Sequence, residues 1–259
     1  MYLILLMFGC AHVQLGGKVL PRESQEVNEA VLGWRLVPGQ ELNYAYDVRV
    51  FRREFEIGRT EHWNYLVKSV DDQGVAILEG RLTAFGALVL ENGTAVSSAD
   101  LVDVEEAEKK RLADVRVWVT LSSDGHVQAV DGLDWEDAFL HHQLGFALPR
   151  QAVQPGVRWK DPVTLIPLIN LLPPEVAVLP KAEAVLEGFL NQDGQHFALI
   201  QTQGSIVAGD KDVPQLTVST EVQWDLNAGA LATRKTTATL QQYESPFGGL
   251  LIIEIRRTP

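Results

Sequence analysis

The sequence predicts a mainly β protein, with antiparallel sheets from two tandem related β units, of sandwich or open-barrel type, and one short connecting helix. Three observations predict this class. Long stretches alternate apolar and polar residues, tight-turn residues join several of these stretches, and few segments have helical periodicity. The alternation is clearest from Leu42 to Val50, where every second residue is apolar or aromatic.

The stretch from His62 to Ala84 predicts a strand, a tight turn and a second strand. Its centre, Asp71 to Gly74, supplies acidic turn formers followed by a glycine that tolerates a positive φ. A related pattern returns from Ala184 to Ile206, where Asn191 to Gly194 forms the turn. Both turns are flanked by apolar, aromatic-containing arms, so each stretch predicts a β-hairpin.

Two further landmarks accompany each hairpin in the same order. A Pro-Gly pair precedes it, at Pro38-Gly39 and at Pro155-Gly156. An alternating segment followed by a turn comes after it, at Val117–Leu121 and at Val222–Leu226. This order predicts an internal duplication, in which segments 38–132 and 155–243 superpose. The alternative is that unrelated hairpins look alike because turn chemistry is limited.

The alternating segments also predict which side chains face the core. In a strand with one buried face, every second residue points inward. The residues on the apolar phase, expected to be buried, are Tyr44, Tyr46, Val48, Val117, Val119, Val218, Val222 and Trp224.

Helical signals are few. Asp134–Leu144 predicts the connecting helix, with Asp134 as its N-terminal cap. Asp103–Leu112 is rich in helix formers but highly charged, so it fits either a helix or the polar end of the following strand. Ile166–Pro180 is apolar and interrupted by prolines, which predicts a loop packed on the β layer.

The chain divides into four parts. Residues 1–9 and residues 10–37 precede the β units; the second of these includes a predicted tether rich in glycine and polar residues, and the role of the first follows from the N-terminal motif described below. Residues 38–150 form the first β unit with its connecting helix, and residues 151–259 form the second β unit. The two units are either separate or one continuous domain, since β folds of this length occur as single domains.

Composition narrows the functional classes. The chain has 259 residues, of which 46% are hydrophobic, and a formal net charge of −12. Nucleic-acid binding needs clustered basic residues, so this charge argues against it. The chain contains a single cysteine, Cys10, which excludes an intramolecular disulfide.

The first eleven residues, MYLILLMFGCA, are apolar and uncharged, and the run is too short to span a bilayer. An apolar run ending in Gly-Cys resembles the lipobox of bacterial lipoproteins. The resemblance implies cleavage before Cys10, a lipid on Cys10, and a location in the bacterial cell envelope with the body in the periplasm or outside the cell. The segment departs from the pattern because no Lys or Arg precedes the apolar run, and Met7 and Phe8 replace the usual residues. The alternative is a buried N-terminal strand with a core cysteine.

A search for chemistry finds no GxSxG, P-loop, GxGxxG or HExxH motif. His141-His142 is the only histidine pair, and adjacent helical residues point about 100° apart, so it does not clamp one metal ion. We interpret the pair as polar residues on the surface of a helix. The sequence therefore predicts a non-enzymatic protein without cofactor or metal.

Three functions remain. The first is a cell-envelope lipoprotein that binds another protein or serves as a scaffold. The second is a carrier of a lipid or other apolar ligand in a cavity roofed by residues 134–148 and 166–180. The third is a hydrolase whose site is assembled from distant loops.

The apolar residues of these two segments offer a ligand or partner surface, unless they simply cover the β layer tightly. They are Trp135, Phe139, Leu140, Phe146, Leu168, Ile169, Leu171 and Leu172.

Overall fold

A computed structural model describes residues 27–52, 55–91, 94–95, 99–169, 178–208, 214–240 and 249–259. The predicted signal segment 1–9 and the predicted lipid site at Cys10 lie outside the described residues, as does most of the tether 10–37. Leu171 and Leu172 also lie outside them.

The described strands form one antiparallel sheet that does not close on itself, which confirms the predicted mainly β class and agrees with its open-barrel alternative. The strands are β1 (Glu41–Arg52), β2 (Phe55–Val70), β3 (Ala76–Glu91), β4 (Thr94–Ala95), β5 (Val117–Leu121), β6 (Val127–Asp131), β7 (Arg158–Lys160), β8 (Val178–Gln192), β9 (Gln195–Ala208), β10 (Pro214–Asp225), β11 (Ala230–Leu240) and β12 (Gly249–Thr258).

Eleven of these strands lie side by side in the order β6-β5-β3-β2-β1-β12-β11-β10-β9-β8-β7, and β4 pairs only with β3. Neighbours in each half follow one another in chain order. Tight turns join β2 to β3 and β8 to β9, whereas longer segments that contain α1 and α3 join β3 to β5 and β7 to β8. The two halves meet where β1 pairs with β12, from Asn43 opposite Thr258 to Phe51 opposite Leu250. This pairing makes one sheet of the two predicted β units.

Both predicted hairpin turns are confirmed. Asp71 Oδ1 accepts hydrogen bonds from the backbone N–H groups of Gln73 (2.9 Å) and Val75 (2.8 Å) in the β2–β3 turn. Gly74 has a φ of 79°, and Gly194 in the β8–β9 turn has a φ of 78°. Glycine adopts this conformation without the Cβ clash that other residues meet, so local sequence determines both turns.

Among the described residues, three α-helices accompany the sheet: α1 (Ala99–Ala113), α2 (Trp135–His142) and α3 (Ile166–Ile169). The helical alternative for Asp103–Leu112 is therefore correct. The structure has more helices than the single connecting helix that the sequence predicted. Ile166–Pro180 is not a loop throughout, because α3 begins it and β8 ends it. Asp134 precedes α2 but makes no side-chain cap, and its carbonyl accepts the first helical bond from Ala138. None of the described helices is long and apolar enough to cross a membrane.

One face of the sheet, the inner face, carries the core. Of the eight side chains predicted to point inward, seven are buried and Val48 is partly buried against the core. The inner face is covered by the segment from Leu32 to Leu36, by residues 134–148 and by residues 162–169, where a 3₁₀ turn (Pro162–Leu165) leads into α3. We call residues 134–148 and 162–169 together the roof.

Candidate functional site

The structure places the predicted surface residues in different environments. Leu140, Phe146 and Leu168 are buried in the core between the roof and the sheet, as the tight-cover alternative expects. Trp135 is 52% exposed, and Phe139 and Ile169 are partly buried. These residues therefore do not form one continuous open surface.

The roof is bonded to the second half of the sheet by a buried arginine on β11. Arg234 Nη1 donates hydrogen bonds to the carbonyl oxygens of Gln143 and Gly145, each at 2.6 Å. Its Nε donates to Thr236 Oγ1 at 3.2 Å. Burial lowers the pKa of Arg234 to about 10, and the negative charge of Asp161 opposes that shift. The guanidinium therefore remains charged at neutral pH and holds the roof segment after α2.

Asp161, which is fully buried, holds the same segment from the other side. Its Oδ1 accepts a hydrogen bond from the backbone N–H of Ala147 at 2.9 Å, and its Oδ2 accepts bonds from Thr164 Oγ1 (2.6 Å) and Thr202 Oγ1 (3.1 Å). The Trp159 indole also donates to the Ala147 carbonyl at 2.8 Å. Buried charges need such partners, because an unpaired one is costly to desolvate.

One set of bonds between the first half of the sheet and the roof is made by neutral groups. The hydroxyl of Tyr65 on β2 forms hydrogen bonds with the Tyr46 hydroxyl at 2.8 Å and with Nδ1 of His141 on α2 at 2.5 Å. The His141 ring also packs against Trp63, with ring centroids 4.7 Å apart. Burial lowers the pKa of His141 to about 3 and raises the pKa of Tyr65 well above its usual value. This cluster is therefore neutral at physiological pH.

A chain of ionic groups borders this cluster. The Trp63 indole donates to Glu61 at 2.6 Å, and Glu61 is ion-paired with Arg59. Asp137 on α2 accepts from Arg59 at 2.8 Å and from Arg111 on α1 at 2.6 Å. Burial raises the pKa of Glu61, whereas the two arginines lower the pKa of Asp137 despite its burial. These bonds attach both helices to β2.

An apolar row crosses the inner face beside the roof and becomes exposed at one end. Its members are neighbours from strand to strand across six strands, which is about 24 Å at the usual strand spacing. We call it the apolar strip, and it consists of Val218, Ala238, Leu251, Val50, Ile57 and Val89.

The first three members of the strip are buried, Val50 is partly buried, and Ile57 is 52% exposed. Phe55, two residues before Ile57 on the same face, is 45% exposed. The apolar strip is thus buried on β10 to β12 and exposed to solvent on β2. Contiguous exposed apolar surface on a folded domain is typical of binding sites.

Two cavities lie away from this strip. One, of about 570 Å³, crosses the outer face of β8 to β12 and is lined by polar and charged side chains together with Leu199. The other, of about 760 Å³, lies against β8 and β9 near Lys160 and Lys181. Neither is lined by Leu140, Phe146 or Leu168, so the two cavities differ from the predicted roofed cavity.

Sequence reasoning missed the polar groups that hold the roof. His141 was interpreted as a surface residue, but it is fully buried, because α2 lies on the inner face with this side chain toward β2. Arg234 was not singled out, although a basic residue on the apolar phase of β11 was a usable signal. Within the described ranges no cluster of three or more metal-ligating side chains occurs.

Comparisons with known proteins give a limited result. No family model and no curated protein matches the chain. Among solved structures, a structure on lipid–protein interactions in lipovitellin is similar at 8% identity and a TM-score of 0.46, covering 87% of this chain. The chain spans about a quarter (26%) of that lipovitellin chain. A putative outer membrane lipoprotein-sorting protein domain from Vibrio parahaemolyticus is similar at 8% identity and a TM-score of 0.23, covering 85% of this chain and 83% of that one. At these values, the function has to be argued from the residues of this chain.

Proposed function

We propose that the protein is a non-enzymatic, lipid-anchored component of the bacterial cell envelope that holds a lipid or other apolar ligand on the inner face of its sheet. The observation that carries the proposal is the apolar strip, which leaves the cover of the roof and is open at Ile57. Ligand sites for apolar molecules are lined mainly by such side chains.

The roof gives the strip a fixed boundary. Arg234 and Asp161 hold it on the β9–β11 side, and His141 and Asp137 hold it on the β2 side. A ligand that lies along the strip therefore borders a rigid wall of the core and does not need to displace it. A preformed boundary of this kind lowers the entropic cost of binding.

Displacement of a fluorescent fatty acid tests the proposal. Ile57→Asp places a charge in the open part of the strip, where it disfavours apolar contact, and we expect affinity to fall roughly tenfold or more. Ile77→Asp is the matched control, because Ile77 is a strand residue of β3 with 40% exposure that alternates with the buried inner-face residues Ala76 and Leu78. Equal affinities for the two variants, or no binding by the wild type, would overturn the proposal.

The anchor is tested separately. If Cys10 carries a lipid, the protein partitions into detergent, and Cys10→Ala releases it in soluble form. A Cys10→Ala protein that still sediments with membranes in the same amount contradicts the lipid anchor.

The second candidate is the protein-binding or scaffold role, which the 570 Å³ groove on the outer face favours. Leu199 lines that groove among polar neighbours such as Glu221 and Gln223. A partner cross-linked to the wild type and to Ile57→Asp, but lost in Leu199→Asp with the fold intact, would support the scaffold over the carrier.

A further inference from the structure

One end of the sheet, where β1, β2, β3 and β12 lie side by side, carries apolar side chains on both faces. Charged residues stand among them: Arg52 and Glu91 pair with Phe55, and Glu56, ion-paired with Arg49 at 3.6 Å, lies between Phe51 and Leu90. The inner face of this end carries the open end of the apolar strip, at Ile57 and Phe55. Its outer face carries a second apolar group, which alternates with the first along the same strands. The members of this outer group are Phe51, Leu88, Leu90, Leu250 and Ile252. We call this end the two-faced tip.

Strand pairing brings the outer group together. Phe51 pairs with Leu250, and Leu88 lies opposite Gly58. Because Gly58 has no side chain, Leu88 stands beside it without a cross-strand neighbour and is 41% exposed. Arg49 lies between the two parts of the group, ion-paired with Asp47 at 3.0 Å.

The rest of the outer face is different. Along the same strands, toward the other end of the sheet, the outer side chains are mostly polar, as in the row Glu254, Asp47 and Thr60. Ile77 and Trp118 are exposed on the outer face away from the tip, but the inner-face residues beside them are buried. The tip therefore differs from these positions in having exposed apolar side chains on both faces.

We propose that the two-faced tip inserts into the interfacial region of a lipid bilayer. A protein partner or a second copy covers one face of a sheet end and leaves the other in water, whereas a bilayer surrounds an inserted end on both faces at once. Arg49 fits this occupant, because an arginine at the interface buries its aliphatic stem and keeps its charge among the headgroups. This goes beyond the proposed function, and the strip opens at the same tip.

The chain outside the described residues is long enough for this arrangement. The described chain begins at Val27, and Trp34 bonds to Ser123 in the β5–β6 turn, at the end of the sheet opposite the tip. The 17 steps from Cys10 to Val27 span up to about 58 Å when extended. β2, with 16 residues, is about 53 Å long. A lipid on Cys10 and the tip therefore reach the same bilayer.

The test uses the full chain with Cys10→Ala, which removes the only cysteine and any lipid on it. A single new cysteine is labelled with an environment-sensitive dye at Leu88→Cys on the outer face or at Ile57→Cys on the inner face. Ile77→Cys is the matched control. On adding phosphatidylcholine vesicles, we expect a severalfold fluorescence rise and quenching by nitroxide-labelled lipid at both tip positions, and no change at Ile77.

The outcomes separate the possible occupants. A response on one face alone would overturn the proposal, as would a response to raised protein concentration without vesicles, which marks contact between copies. Leu88→Asp should lower vesicle flotation roughly tenfold while leaving binding of soluble fatty acid unchanged, because Leu88 does not face the strip. Loss of fatty-acid binding with unchanged vesicle flotation would contradict the proposed function but not the insertion of the tip into the bilayer.

Discussion

The two halves of the sheet share their strand order but differ in how their inner faces meet the roof. β1-β2-β3-β5-β6 and β7-β8-β9-β10-β11 each place neighbouring strands in chain order, although β4 and α1 separate β3 from β5 and α3 separates β7 from β8. The first half meets the roof through the neutral pair Tyr65 and His141 and through Arg59, a partly exposed arginine that is ion-paired with Asp137. The second half meets it through Arg234 and Asp161, charged groups that are both buried.

This difference shows what a shared strand order leaves open. The order is the same in both halves, so it does not determine where the roof lies. The roof is placed by buried polar bonds, since a buried donor or acceptor is costly to leave unpaired and therefore selects one geometry. Strand pairing thus forms the sheet, and a few polar side chains fix the position of the roof on it.

The largest expected effect comes from the tryptophans of the two equivalent strands β5 and β10. Trp224 is 1% exposed and packs edge-on against Trp34, with centroids 4.9 Å apart, whereas Trp118 is 39% exposed on the outer face. Trp224→Ala should lower the free energy of unfolding by roughly 3–5 kcal/mol because it leaves a cavity. Trp118→Ala should cost less than about 1 kcal/mol. Urea denaturation of both variants measures the difference.

A loss below about 1 kcal/mol for Trp224→Ala would mean that the faces of β10 are assigned backwards. Equal losses for both tryptophans would remove the contrast between the two strands.

Much of the sheet was predictable because its signals are local. The turns at Gly74 and Gly194 follow from a glycine after acidic or amide residues, and the buried phase of β1 follows from alternation. Short connections then predict that β2 lies beside β3 and β8 beside β9, whereas the connections of β3 to β5 and of β7 to β8 are longer and contain α1 and α3.

The rest depends on contacts between residues distant in the sequence. β1 pairs with β12 across about the whole chain, and no local signal marks that partner. Tyr65 meets His141 across 76 residues, and Arg234 meets Gln143 across 91. On a short helix, His141 is indistinguishable from a surface residue until the inner face of the helix is known. The roof contacts of the candidate site were therefore not available from the sequence, although Val50, a partly buried member of the apolar strip, was on a predicted strand face.

Loss of a buried charged roof contact in the second half should cost more than loss of the neutral contact in the first half. Asp161→Ala removes the acceptors for Ala147 and two threonines and leaves Arg234 without its nearest negative charge, so we expect a loss of about 3–4 kcal/mol. Tyr65→Phe removes only neutral bonds and should cost about 2 kcal/mol. Denaturation gives both values, and faster hydrogen exchange at the Ala147 amide should accompany Asp161→Ala alone. An equal loss for both, with unchanged exchange, would show that the buried charge does not make the Asp161 contact the stronger one.

The smallest expected effect is a pH dependence of stability that belongs to His141 in the first half. Burial holds the pKa of His141 at about 3, below its ordinary 6.5, so between these values the unfolded chain binds a proton that the folded protein does not. The stability that neutral His141 contributes is present above pH 6.5 and is lost as pH falls, at about 1.4 kcal/mol per pH unit well below 6.5. His142 adds a loss in the same direction, because burial lowers its pKa too, while Glu61, whose pKa burial raises, opposes it. We expect His141→Gln, which keeps an acceptor for the Tyr65 hydroxyl, to flatten the dependence between pH 5 and 6.5 by up to that slope, as measured by urea denaturation. A His141→Gln protein as steep as the wild type would show that His141 is protonated equally in both states.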